Sequence, residues 1–479
     1  MKNTALKILN KIERSGITYA DVRLTSTDNE GFHFERGALK GMGGQKDSVR
    51  VGIRVLAEGT WGFAAGSDIS DNAVDAMIKK ATDNAKKGSR FQAERDEFKP
   101  IKGIEKEYRF KPEIDPFTMP LEEKLAYLEK LAKMIAGDPN IPFSIVDLMC
   151  YRQHKVFVNT EGMIADTVVY DIKPSMMVIA VGPGGVMSRT FPGHMEARRG
   201  GFEVLKQYDF EGNAERIMKE AAELLTAKGV EDDEGDIIIG AGHLALQLHE
   251  SVGHATEADR IFGMEISYAG KTFVKPSMIG NFKYGSDILT IYTDASDERG
   301  IGFHPVDDEG VPAKRVDIIK NGVLKDLQTS RQIADKLGLE PSSNMKASFA
   351  SDFPLVRMTN LCIEPVKGSL KEMIAGTENG YLVDFTKTWS IDDNRNNFQF
   401  TTEIGWKIKN GKIERVVREP TYFGITKEFW NSCDAICGPE EWNYYGTFFC
   451  GKGEPGQAMH LSHGVAPARF RKVKLLKSY

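Results

Sequence analysis

In the first half of this chain strand-like runs arrive in groups, each group bracketed by amphipathic helices, and the whole order occurs twice. In the first round Leu6, Ile8, Leu9 and Ile12 mark a helix that Ser15-Gly16 should close. Strands are predicted from Tyr19 to Leu24, Gly31 to Glu35, Ser48 to Leu56 and Trp61 to Ala64, with Glu58-Gly59 as the turn between the last two. Ser70-Asp71 then caps a helix through Val74, Met77, Ile78 and Ala81. A charged, proline-bearing connection comes next, from Gly88 to Pro116. The second round has a helix from Leu121 to Ile135, then strands Phe143 to Cys150, Lys155 to Asn159, Ile164 to Tyr170 and Met176 to Val181. It ends in a helix from Asn213 to Ala227.

Strands in runs, with helices segregated from them, specify an α+β fold rather than regular alternation. The repeated order points to an N-terminal α/β domain, residues 1–230, built by duplication of 1–90 and 120–230. From Gly235 the character changes to a short strand, Asp236-Ile237-Ile238-Ile239, a helix beginning near His243, and then short strands and glycine turns. Residues 231–479 therefore read as a β-rich C-terminal domain that carries this helix and holds a site at its loop ends.

With 63 basic and 68 acidic residues the net charge is -5, so the basic balance of a nucleic-acid binder is missing. The one basic cluster (Arg469, Arg471, Lys472, Lys474, Lys477) alternates with Phe470, Val473 and Leu475, as a charged edge strand would. Charges interrupt the apolar positions of the first helix, which argues against a secretory signal, and no run has membrane-spanning length. Five scattered cysteines suit a reducing compartment, and the expectation is a cytoplasmic protein.

The densest chemistry lies in the apolar segment Leu244 to Asp259, which carries His249, Glu250 and His254. Histidines four apart share a helix face and can close on one metal ion. These are five apart, which a regular α-helix sets about 140° from each other. A single wide turn with i to i+5 bonding would restore one face, as would a distortion at Gly253. The competing reading is a pair of satisfied core histidines. Third ligands could come from Glu257, Asp259, His304, His460, His463 or a cysteine. Cys450 stands out because it opens the glycine-rich Cys450-Gly451-Lys452-Gly453 loop. Cys433 and Cys437 suit a turn of buried helix better than a metal clip. The acidic turn Asp307-Asp308-Glu309-Gly310 reads as a cation site or a solvated loop, and Asp392 to Asn397 only loosely resembles a calcium loop.

Taken together these segments resemble the TldD/PmbA family, and specifically its TldD-like branch, over essentially the whole chain. The resemblance is carried by Ser48 to Leu56 with Gly59 to Ala64, by His249-Glu250-Ser251-Val252-Gly253-His254 with Glu257 and Asp259, and by Asp307 to Pro312. Arg357 to Leu361 and Cys450 to Gly453 complete it. It implies a peptidase with one zinc ion per chain, held by His249, His254 and Cys450, with Glu250 as general base. Glu257 or Asp259 would orient a ligating histidine, and the loop around Lys452 is a candidate oxyanion donor. The expected substrate is a short or unfolded peptide, bound by strand addition. The expected assembly is a homodimer or a heterodimer with a motif-lacking paralogue. The rival expectation is a non-catalytic subunit that binds a toxin–antitoxin component or gyrase.

Overall fold

The computed structural model describes residues 1–12, 16–91, 95–97, 99–265 and 270–478. Ser15, expected to help close the first helix, lies outside them; that helix spans Lys2–Lys11. The chain is α+β, with extensive sheets in both halves.

Several strands predicted as neighbours are single long strands. Ile17–Glu35, Phe143–Asn159 and Ile164–Gly182 each absorb two of the predicted runs. The apolar signal lapses between the runs, yet the ladder from Asp21↔Asn159 to Glu35↔Ile145 has no break. This central antiparallel pairing joins the two rounds of the sequence, edge to edge, in one eight-stranded sheet.

Side chains alternate across a strand, so Ala20, Val22, Leu24, Phe32 and Phe34 share one face. Helices Lys2–Lys11 and Asp71–Gly88 cover one end of that face, and helices Leu121–Met134 and Phe210–Leu224 cover the other. The opposite face carries Asp21, Arg23, Thr25 and Thr27, all at most 4% exposed. It is polar but not solvated, because the C-terminal half lies against it. Arg54 bonds Asp21 (2.8 Å) and donates to the Asp308 carbonyl (2.8 Å), Lys155 pairs with Asp308 (2.6 Å), and Arg331 pairs with Glu161 (2.8 Å). The acidic turn is thus neither a solvated loop nor part of a metal cluster among the described residues. Its charges fasten the two halves together.

In the C-terminal half, strands Glu234–Ile239, Asn379–Ile391, Asn397–Lys409, Thr421–Ile425 and Ala468–Leu476 close into a ring. The basic C-terminal strand is therefore interior rather than an edge. Its arginines are matched by neighbouring strands: Arg469 and Arg471 reach Asp434, at 2.9 and 2.6 Å, and Arg471 also reaches Asp236, at 2.5 Å. Cys433 opens a short strand, Cys433–Ile436, and Cys437 comes directly after it, so the expected turn of helix is not there. A second sheet ends in Gln457–Val465 and the edge strand Asn443–Lys452. Helix Ala241–Leu248 packs in the core shared by ring and sheet. Among the described residues no helix is long and apolar enough to cross a membrane.

Gly52 marks a close approach of the two halves: a Cβ there would sit 1.8 Å from the Ala350 carbonyl oxygen. Gly52→Ala should destabilise the protein by about 1–3 kcal/mol, whereas Gly31→Ala in the same sheet, where a Cβ meets nothing within 4 Å, should stay within about 0.5 kcal/mol. Urea unfolding of both variants measures this, and equal stability would show that the contact does not constrain the fold.

Candidate metal centre

After Leu248 the helix widens. His249–Gly253 forms one π turn, in which His254 N–H donates to the His249 carbonyl, and His254–Thr256 tightens into a 3-10 turn. Of the two routes to a common face, the chain takes the wide turn. The backbone carbonyls that leave the helical pattern find side-chain donors. Tyr284 OH donates to Ser251 (2.5 Å), Thr256 to Val252 (2.9 Å) and Gln328 to Gly253 (2.7 Å). Gly253 itself has ordinary right-handed dihedrals. Glycine is required there by space, because a Cβ would fall 2.1 Å from Met358 Sδ.

The wide turn brings the two imidazoles together with Cys450, and all three are buried. Cys450 Sγ lies 3.4 Å from His249 Nε2 and 3.7 Å from His254 Nε2. A tetrahedral zinc with ordinary bond lengths has N···S edges of about 3.6 Å, so the spacing fits. Cys450 arrives on the edge strand just after a register shift between Thr447 and Cys450.

Hydrogen bonds behind the imidazoles set their tautomers. His463 Nδ1 faces the Leu361 carbonyl (3.2 Å), which only accepts, so this nitrogen is assigned the proton. Its Nε2 is then free to accept from His249 Nδ1 (2.8 Å), and the lone pair of His249 is left on Nε2. His254 Nδ1 donates to Glu257 (2.9 Å), with the same result. Burial pushes His249 down to about 4, which keeps it neutral despite Glu250 and Glu257. Burial alone would raise the Cys450 thiol, but Arg357 and His254 outweigh it and hold the group below its ordinary value. Two inward-facing imidazole nitrogens and an acidified thiol form a donor set suited to zinc.

Glu250 stands beside them on the wall of a cavity of about 490 Å³. Arg395 Nη1 bonds one carboxylate oxygen (2.6 Å) and the Trp389 indole bonds the other (3.1 Å). Burial favours the protonated acid, yet the Arg395 guanidinium and the Trp389 N–H help to hold it below the usual carboxylate value. Arg395 comes from the segment that looked loosely like a calcium loop. There Asp392 accepts the N–H groups of Asn396 (2.7 Å) and Asn397 (2.6 Å), and Arg395 adopts a left-handed φ of 61°. The loop is a tight hairpin that delivers a guanidinium. The His194 ring also lines the cavity and stands 4.7 Å from Trp389.

The remaining sequence candidates sit elsewhere. His460 pairs with Asp171 (3.0 Å) and His304 bonds Ser343 (3.1 Å). His463 lies behind His249 rather than at the convergence point. Glu257 and Asp259 are buried around Lys452, which lies 3.2 Å from the first and 2.8 Å from the second and also donates to the Val356 carbonyl (2.7 Å). The Lys452 ammonium is therefore engaged by the two carboxylates and the carbonyl. Sequence reasoning missed Trp389, Arg395, His194 and the rear position of His463. Only tertiary pairing brings them here.

Family profiles described as PmbA/TldA metallopeptidase domain 1, central domain and C-terminal domain match residues 20–85, 114–228 and 233–462. A metalloprotease of Methanocaldococcus jannaschii is 26% identical, over 93% of this chain and 94% of its own. A zinc metalloprotease TldD homolog of Saccharolobus solfataricus is 24% identical, over 98% and 99%. Among solved structures, TldE from Thermococcus kodakarensis superposes with a TM-score of 0.74 at 18% identity, covering 98% of this chain and 99% of that one. A Thermotoga maritima protein described as a candidate modulator of a DNA gyrase gives 0.78 at 17%, covering 99% of each. At these identities the solved structures speak to the fold alone.

His463→Leu removes the acceptor behind His249 and should weaken metal affinity about 10–100-fold without unfolding the protein. Zinc titration against a competing chelator tests it; an unchanged affinity would mean that His463 does not orient His249.

Proposed function

The chain belongs to the PmbA/TldD metallopeptidase family, and on that premise we propose that it is a zinc-dependent peptidase acting on short or unfolded peptides. One observation carries the proposal: His249 Nε2, His254 Nε2 and Cys450 Sγ converge with their lone pairs inward, next to the Glu250 carboxylate and open to a cavity.

Three protein ligands leave one position for water or substrate, as catalytic zinc sites require. When bound, zinc supplies Lewis acidity towards a peptide carbonyl and water. Glu250 moves the proton, taking it from water and returning it to the leaving amine. Arg395 and Trp389 each hold one Glu250 oxygen and so fix the plane of the carboxylate while leaving each oxygen a further lone pair. Glu257, itself held by Arg260 (2.8 Å) and Lys452, keeps the His254 ring from turning. Asn443–Lys452 is the last strand of its sheet; Ala197 N–H takes its edge at Gly446 (2.9 Å), and beyond that point Thr447, Phe449, Cys450 and Gly451 line the cavity. An extended peptide can pair with this edge through backbone hydrogen bonds, which read no sequence. Five buried, free thiols support a cytoplasmic setting.

Elemental mass spectrometry should find about one zinc per chain, and chelation should abolish peptide hydrolysis reversibly. Glu250→Gln should keep the metal and lower kcat about 10²–10⁴-fold; an active, well-folded Gln variant would sink the assignment. Arg395→Met removes a positive charge that holds Glu250 low. Because the base must be ionised, activity falls as pH drops through its pKa. The acid limb of the kcat/KM profile should therefore move to higher pH. A limb that stays in place would mean that Arg395 does not tune Glu250.

A further inference from the structure

A second cavity, of about 520 Å³, lies between the polar face of the N-terminal sheet and the C-terminal half. The two cavities share one wall residue, Phe449, which is 59% exposed and sits next to Cys450 in the bulge of the edge strand. A ligand lying along that strand past Phe449 thus passes from the metal centre into this second space.

Four cations line the second cavity, and two of them are already paired: Lys155 with Asp308 (2.6 Å) and Arg199 with Asp171 (2.7 Å). The other two, Arg50 and Lys346, have no carboxylate within 4 Å among the described residues. Lys346 Nζ reaches only the Gly302 and His460 carbonyls, at 3.4 and 3.5 Å. The Arg50 guanidinium carbon lies 3.9 Å from the Phe349 ring centroid, and among the described residues its N–H groups meet no hydrogen-bond acceptor. The remaining carboxylates of the wall are engaged by backbone donors. Asp352 accepts the Phe349 N–H (3.1 Å), and Asp307 accepts three backbone N–H groups. Burial and the neighbouring Glu309 push Asp307 up to about 8, so it adds no full negative charge to the wall near neutral pH. Burial and the Lys155 charge lower Lys346 to about 7 against the pull of Asp308 and Asp171, which among the described residues stand beyond ion-pair distance.

We propose that this second cavity is a carboxylate-binding subsite, in which Arg50 and Lys346 receive an anionic group of the peptide whose backbone lies at the metal centre. The assignment rests on the peptidase reading and adds a substrate class to it: peptides carrying a carboxylate to one side of the scissile bond. The carboxylate can be the C-terminus or an acidic side chain, and the test separates the two.

The experiment is calorimetric titration of the zinc-loaded Glu250→Gln protein, which binds without turnover. The probes are one pentapeptide as the free acid, the same peptide as the C-terminal amide, and the amide with a Gln replaced by Glu. The free acid should bind about tenfold or more tightly than the amide, as a charge-assisted contact requires. If the Glu-containing amide regains that affinity, the subsite reads acidic side chains; if it does not, the subsite reads the terminus. Lys346→Met and Arg50→Met should each reduce the preference while leaving affinity for the amide unchanged, and Lys346→Arg should retain it. Equal binding of all three peptides, or a preference that survives both Met variants, overturns the subsite and leaves the peptidase reading intact. Failure of every peptide to bind overturns both.

Discussion

One extra residue in one helical turn is the constraint on which the site depends. With His254 five positions after His249, a regular helix would aim their rings about 140° apart. The π turn absorbs the extra residue, and both Nε2 atoms face Cys450. Such a turn persists only where its surroundings over-determine it, and they do. Tyr284, Thr256 and Gln328 take up the carbonyls that leave the helical ladder, and Met358 fills the space that a side chain at residue 253 would need. The metal geometry is thus written into the core around the helix as much as into the helix itself.

A second dependence runs across the polar face of the N-terminal sheet. A sheet with helices on one side ordinarily leaves its other side to water. Here Asp21, Arg23 and Arg54 are buried against the C-terminal half, Glu309 and Asp308 answer Arg54 and Lys155, and Arg331 answers Glu161. Buried charge of this kind adds little net stability compared with apolar packing, but breaking one partner is costly, so it fixes a single arrangement. The same interface leaves room for the cavity beyond Phe449.

Much of this was legible in the sequence because the signals are local. Period-3.6 apolar positions gave helix Leu121–Met134 to within a residue and the start of helix Asp71–Gly88, which runs well past Ala81, and the dense His-Glu-His segment marked one wall of the site. The long strands were read as fragments because their polar face is buried against protein, so the alternation that normally marks a solvated strand is confused by residues such as Thr27 and Asp28. Likewise Ala468–Leu476 looked like an edge, since nothing in the sequence says that Asp434 and Asp236 wait on its neighbours. Arg395, Trp389 and the rear position of His463 come from segments more than a hundred residues from the motif, and no spacing rule connects them to it.

The wide turn also has a bearing on descent. Deleting one residue between the histidines would restore four-residue spacing, an arrangement that a plain helix can use. Because the π turn has already absorbed the extra residue, the parts of the helix on either side would keep their relative orientation, and Leu244, Leu246 and Leu248, all at most 2% exposed, would keep their places in the core. What would change is the bulge itself, because Tyr284, Thr256 and Gln328 now hold carbonyls that a regular helix would claim back. The longer and the shorter motif thus stand one residue apart, separated by local repacking around the turn and not by the core as a whole.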